Sequence, residues 1–180
     1  RGIQLTCQLS KAAERFIGKL FLPYLVGINA YGSNQFAYSP ERGARDVLLF
    51  IMLSWLLALA KGMKIALYCS DVAGAFDKVD AQRMVAKLKA LGIHDKLVAV
   101  FDSWLRKRQA RVVVSGSSSE LFDMQNMIYQ GTVWGPPFWN CFYADAGCAI
   151  AKNSFVEIVY ADNLNAFKEF PNNVTNETIM

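Results

Sequence analysis

The chain of 180 residues reads as an α+β domain, and three observations predict that class. Apolar residues recur at helical spacing in several segments long enough to form helices. Two short runs, 155–160 and 164–170, alternate as strands around the tight turn Ala161-Asp162-Asn163. Helices mixed with mostly hairpin-type strands are the pattern of an α+β fold. The composition agrees: 53% hydrophobic and 19% charged, with 12 Gly and 5 Pro, excludes a disordered chain, a collagen-like repeat and a small disulfide scaffold. A chain of this length buries roughly 70% of its unfolded surface, enough for one core, or one core with a lobe.

Taken in order, SKAAERFIGKLF (10–21) places Ala13, Phe16, Ile17, Leu20 and Phe21 on one helical face, with Glu14 and Lys19 off it. Residues 27–40 are rich in Gly, Asn, Ser and Tyr and read as a loop. Residues 45–60 are expected to form a buried helix. The uncharged run within it, 47–60, is 14 residues long, short of the about 20 a membrane span needs. IALYCS (65–70), apolar and bounded by charge, suits a buried strand ending at Asp71. Asp80 caps a helix whose apolar positions are Met84, Val85, Leu88 and Leu91, closed by Gly92. A second helix, 96–105, leads into a basic stretch. Residues 111–115 and 121–128 are expected to pair around Gly116-Ser117-Ser118-Ser119. Pro136-Pro137 opens a helix through about Ala151.

Charge is unevenly placed. Residues 1–111 hold 17 basic and 8 acidic side chains, and residues 112–180 hold 2 and 7. A basic front half fits a polyanionic partner, and an acidic back half fits cations. Cys7, Cys69, Cys141 and Cys148 form no C-x-x-C, and His94 is the one histidine, so no zinc site can be drawn. Buried free thiols in a reducing compartment are expected. No secretory signal opens the chain, so Asn173-Val174-Thr175 and Asn176-Glu177-Thr178 read as chance matches to the glycosylation pattern. The start at Arg1, inside a structured segment, fits a piece of a longer protein.

Asp71 and Asp162 each stand where a strand stops. Either alone is an ordinary turn residue. Together, carboxylates from neighbouring strand ends would repel unless cations lay between them. Two divalent ions about 3.5–4 Å apart are an arrangement used for in-line phosphoryl transfer. Magnesium suits such a site because it accepts few carboxylates and keeps room for water and phosphate oxygens.

Five ordered blocks carry a resemblance to the reverse transcriptases. Asp71-Val72-Ala73-Gly74-Ala75-Phe76-Asp77 resembles their first catalytic motif, an aspartate followed five positions later by an aromatic. Gln130-Gly131-Thr132-Val133-Trp134-Gly135-Pro136 resembles their Q-G-x-x-x-G-P segment, and Tyr160-Ala161-Asp162-Asn163 their Y-x-D-D turn. Residues 1–14 are similar to a fingers block that reads R-P-I-x-L with a later S-K-x-x-E. Asn34-Gln35-Phe36-Ala37-Tyr38 with Arg42 and Asp46 is similar to the next block, N-Q-F-G-F with a downstream R and D. A-F-D-x-V, and Trp104-Leu105 before a basic stretch, resemble the non-LTR, LINE-like branch.

The resemblance implies fingers (1–64) and the palm of a right-hand polymerase (65–170), an antiparallel sheet backed by helices, then a polar tail (171–180). It implies an RNA-directed DNA polymerase that joins dNTPs to a primer 3′-hydroxyl with two Mg2+, Mn2+ being the possible substitute. Asp71, Asp162 and Asn163 would be the catalytic positions, with Asp71, the Val72 carbonyl and Asp162 as metal ligands. Phe76 would exclude a 2′-hydroxyl and so select deoxynucleotides. Gln130 and Gly131 would floor the nucleotide site, where a side-chain-free backbone allows close approach. Arg42 and Arg1 would aim at the triphosphate. Arg106, Lys107, Arg108 and Arg111 would contact phosphates of an RNA template and DNA primer; their alternative is a solvated helix end. The implied place is intracellular, nucleus or cytoplasm, with no membrane span. Missing thumb and endonuclease regions of a parent polyprotein are the implied partners.

Asn163 departs from the family, which has a second aspartate there, and Tyr129 replaces the proline common before Q-G. The absent thumb and the lost carboxylate favour an alternative: an inactive remnant that keeps only the fold and nucleic-acid binding. A nucleotidyl cyclase on a similar palm accounts for the paired aspartates but not for the Q-G segment or the fingers blocks.

Overall fold

The computed structural model describes residues 4–106, 108–124 and 127–179. Its elements are α1 (Gln8–Gly27), α2 (Ala44–Ala60), β1 (Met63–Ser70), a 3-10 helix (Ala75–Lys78), α3 (Ala81–Ala90), α4 (Asp95–Leu105), β2 (Arg108–Ala110), β3 (Val113–Val114), β4 (Ser117–Ser118), β5 (Phe122–Met124), α5 (Gly135–Ala151), β6 (Val156–Tyr160), β7 (Asn163–Pro171) and α6 (Asn176–Ile179). Packing divides them into two compact units. One is Arg1–Gly27 with Gly74–Phe142, the other Ile28–Ala73 with Tyr143–Met180, so a boundary falls inside α5.

In the first unit, α1 turns a different face inward from the one its apolar spacing predicts. It buries Glu14, Gly18, Phe21 and Leu25, while Phe16 is 73% exposed. Glu14 can enter because four donors meet its carboxylate there. Phe21 joins Phe101, Trp104, Trp134 and Phe138 in an aromatic cluster, with Phe21 and Phe101 edge-on at 4.6 Å between centroids. Asp80 caps α3 by accepting from the Arg83 amide at 2.8 Å. Gly92 closes it at φ +81, where a Cβ would lie 2.6 Å from the Tyr24 hydroxyl; that hydroxyl donates to the Leu91 carbonyl. The expected 111–115/121–128 pair is instead two nested ladders, β3 with β4 and β2 with β5. The turn sits at Ser115-Gly116, both with positive φ, a two-residue link that matches strand twist.

The second unit is built on a three-stranded antiparallel sheet in the order β1-β7-β6. Alternation divides its side chains between two faces. Ile158 and Phe167 pack with Val47 under α2, and Val159, Leu164 and Ala166 pack with Tyr143, Ala146 and Ile150 of α5. The expectation of a buried α2 fails. Val47 and Ala58 are buried, but Leu48, Leu49, Met52, Leu53, Leu56, Leu57 and Leu59 are all more than half exposed. A helix laid on a sheet covers one stripe only, and this sequence is apolar all round. β1 is likewise an edge strand rather than a buried one, and leaves Leu67 and Tyr68 outside.

Among the cysteines only Cys141 is buried, which corrects the expectation for Cys7, Cys69 and Cys148. Burial pushes the Cys141 thiol up to about 12, against the opposing cation of Lys87. Among the described residues no helix is long and apolar enough to cross a membrane.

Candidate active site

Strand register brings the two acids together. β1 pairs with β7 from Met63↔Pro171 to Ser70↔Leu164, and β7 with β6 as far as Tyr160↔Asn163. Asp71 follows Ser70 directly, and Asp162 lies in the two-residue turn between β6 and β7, so both leave the sheet at one end. Tyr143 of α5 registers both. Burial raises its hydroxyl pKa, and the neighbouring Asp162 carboxylate, Tyr68 and the Asp71 carboxylate push it the same way. Asp71 and Asn163 are exposed and Asp162 half-buried. Among the described residues no group of three or more His, Cys, Asp and Glu is poised to hold a metal. Asp71 and Asp162 offer carboxylate oxygens, the donor chemistry that Mg2+ accepts, unlike the nitrogen–sulfur sets of zinc.

The turn is held from residues 34–36. Gln35, 3% exposed, accepts the Ala161 amide on Oε1 at 3.1 Å and donates Nε2 to the Ala161 carbonyl at 3.3 Å. Its Oε1 also accepts the Ala37 amide at 3.0 Å. On either side, the Val159 amide donates to the Asn34 carbonyl and the Phe36 amide to the Val159 carbonyl, both at 2.9 Å. Arg42 donates to the carbonyls of Ser33 and Gln35 and lies over the Phe36 ring. To reach a triphosphate, it would have to leave those carbonyls.

In the first unit, the loop Gln130–Trp134 is braced by the N-terminal segment. The Gln130 amide donates to Gln4 Oε1 at 2.7 Å, and Thr6 Oγ1 to the Gly131 carbonyl at 3.2 Å. Gly131 has φ +77, and a Cβ there would lie 3.1 Å from the Gln4 carbonyl oxygen, so the position calls for glycine. Glu14, 2% exposed, accepts the Val133 amide at 2.6 Å, the Trp134 amide at 3.3 Å and the Trp104 indole N–H at 3.2 Å. Phe76 stacks on Trp139 at 6.0 Å, and its carbonyl accepts the Ile128 amide at 2.8 Å.

A family model described as reverse transcriptase (RNA-dependent DNA polymerase) matches residues 1–178. The chain belongs to that family. Reverse transcriptases are nucleotidyltransferases that generally use divalent metal ions. A curated relative, the RNA-directed DNA polymerase from mobile element jockey of Drosophila funebris, is 26% identical over 169 residues; the match covers 91% of this chain and 18% of the relative. That relative agrees with the mobile-element branch which the motifs resemble. Among solved structures, an apo telomerase from Candida tropicalis truncated from its C-terminal domain matches with TM-score 0.60 at 14% identity. It covers 94% of this chain and 35% of the telomerase chain, and it bears on the fold alone. The chain thus spans about a fifth to a third of the proteins it matches.

Within this reverse transcriptase chain, the expected residues fall into separate groups. Asp71, Val72, Asp162, Asn163 and Arg42 lie in the second unit; Phe76, Gln130 and Gly131 lie in the first. Of the basic stretch, Arg106 pairs with Asp102 at 2.5 Å, and Arg108 lies 4.4 Å from the Tyr129 ring centre and 5.6 Å from that of Trp104. Arg111 is exposed, while Lys107 and Arg1 lie outside the described residues. Tyr129 is buried, and its hydroxyl donates to the Leu105 carbonyl at 3.2 Å. Burial pushes that hydroxyl's pKa up, and the Arg108 cation opposes it. Sequence reasoning gave no holding role to Gln35 or Glu14. For Gln35 a signal existed in the Asn34-Gln35-Phe36 block; for Glu14, in the small or polar residues Ser10 and Gly18 one turn to either side.

Proposed function

We propose that the chain is a palm-and-fingers portion of an RNA-directed DNA polymerase of a non-LTR element, extending a primer 3′-hydroxyl with dNTPs along an RNA template. The observation that carries this reading is the convergence of Asp71 and Asp162 through the β1–β7 register. In the reaction the primer 3′-oxygen forms a bond to the α-phosphorus, and the bond to the departing pyrophosphate breaks. Asp71, the Val72 carbonyl and Asp162 would hold a pair of Mg2+ ions, which supply neutralisation of phosphate charge and a more acidic 3′-hydroxyl when bound. Phe76 is assigned to exclude a 2′-hydroxyl, its plane fixed by the stack on Trp139. Gln130 and Gly131 are assigned to the nucleotide floor, a backbone surface braced by Gln4 and Glu14. Among the described residues of the basic stretch, Arg111 is best placed for nucleic-acid phosphate, since Arg106 has an acid partner and Arg108 lies against aromatic rings.

Asn163 favours a second reading, an inactive remnant that keeps the fold and nucleic-acid binding. Asparagine retains a carbonyl acceptor but brings no charge to the ions. Primer extension on poly(rA)/oligo(dT) with Mg2+ separates the readings, using the chain, Asn163→Asp and Asp71→Ala. Extension that Asp71→Ala abolishes supports an active polymerase. Extension by Asn163→Asp alone supports the remnant. Silence from all three removes support for turnover in this portion of the protein.

A further inference from the structure

We propose that Gln35 is a positioning residue for the Asp162 turn, and that the position requires a primary amide; this rests on the reading of Asp162 as a metal ligand. Ala161 opens the turn at φ +58, a left-handed conformation that an L residue adopts at a cost. Such a turn needs an outside hold, and Ala161 presents one donor and one acceptor for it. Gln35 answers both with one side chain, across 126 residues of sequence. Of the side chains of this length, glutamine alone combines an amide donor with a carbonyl acceptor. A glutamate would lose the donor and set a third carboxylate beside the turn; a methionine would fill the space and offer neither bond.

The backbone that carries the amide is itself held. The backbone at 34–36 is bonded to Val159 in β6. The Gln35 carbonyl accepts from Ser39 Oγ at 3.0 Å and from Arg42. The side chain is buried, so water cannot readily replace either bond. Asp162 is the next residue along, so its position relative to Asp71 depends on this clamp.

The test reads Mn2+ affinity by water-proton relaxation, with the ion alone as probe, in the chain and in its Asn163→Asp version. Asp162→Asn serves as the reference. Gln35→Met is expected to weaken Mn2+ binding about tenfold at a temperature well below its melting point. Adding Ala161→Gly, which removes the left-handed penalty, is expected to recover part of that loss. If Asp162→Asn leaves Mn2+ binding unchanged, the ligand reading fails and the positioning role falls with it. If Asp162→Asn weakens binding while Gln35→Met does not, the proposal is overturned and the ligand reading stands. Should Gln35→Met fail to fold, amide exchange in the unaltered chain decides. Protection of the Ala161 amide at least tenfold beyond an open turn supports the clamp, and free exchange overturns it.

Discussion

Ser70 of β1 stands opposite Leu164 of β7, and this pairing delivers Asp71 and Asp162 to the same end of the sheet. Leu164 faces the α5 side, so Asn163, one step earlier in the pleat, points to the other face. The same step past Ser70 gives Asp71 that face as well, so a carboxylate at 163 would add its charge on the Asp71 side of the site. A unit charge about 4 Å away is worth ~4 kcal/mol at an effective dielectric near 20, and half that at twice the distance. Asn163→Asp is expected to tighten Mn2+ binding about 30-fold, and Asp71→Asn to loosen it by at least as much. Titration followed by proton relaxation checks both; a change under threefold for Asn163→Asp would place residue 163 outside the ion's reach.

The thiols should divide three to one. Cys7, Cys69 and Cys148 are exposed and Cys141 is buried. At pH 8, an aromatic disulfide reagent is expected to label three thiols promptly and the fourth only on unfolding. Cys141 stays protonated in the fold to about pH 12, whereas in the unfolded chain it titrates near the ordinary thiol value of 9.0. Its contribution is thus intact below pH 9 and is lost as pH climbs from 9 towards 12. Cys141→Ala should flatten that part of a stability–pH curve measured by urea unfolding.

The inward face of α1 predicts unequal costs for two phenylalanines five residues apart. Phe21 is 1% exposed at the centre of the aromatic cluster, and Phe16 is 73% exposed. Phe21→Ala should cost about 3–5 kcal/mol. Phe16→Ala should stay within about 0.5 kcal/mol. Equal costs in chemical denaturation would mean that the helix is rotated from the arrangement described.

Glu14→Gln exchanges one acceptor oxygen for a donor among groups that all donate. Amide exchange at Val133 and Trp134 should rise about tenfold or more, while the α3 amides keep their rates. Exchange mass spectrometry on the peptide spanning 130–135 reads the outcome.

α2 offers a contrast between its two sides. Leu49→Lys and Leu56→Lys, on exposed positions, should leave unfolding free energy within about 0.5 kcal/mol and lower light scattering of concentrated samples. Ala58→Leu, at a position with 0% exposure, should cost about 1–3 kcal/mol through overpacking.

Much of this was legible in the sequence, for local reasons. The β6–β7 hairpin, the Asp80 cap and the Gly92 stop each depend on neighbours within a few residues, and each forms as the pattern predicts. The burial of Glu14 was not legible, because its donors at Trp104, Val133 and Trp134 lie 90 to 120 residues away. The orientation of α2 was hidden for the opposite reason: both of its sides are apolar, so periodicity could not choose between them. β1 read as buried because its run is apolar, but its place at the sheet edge is set by strand order, which no single segment encodes. For Arg106 and Arg108 the charge was visible while the acid and the rings that engage them were not.

The acids are positioned by register, which has a consequence for how a sequence of this kind decays. Exchanging Leu67 or Tyr68, both exposed in β1, changes a surface and leaves the ladder in place. Inserting or deleting a single codon within 63–70 or 163–171 shifts every following pair by one position and turns inward side chains outward. Among unselected copies of such a sequence, the spacing between these two segments and their acids would thus be lost at the first short insertion, while the motifs themselves stayed readable. Segment length, more than the residue at 163, is then the record of how recently a copy was under selection.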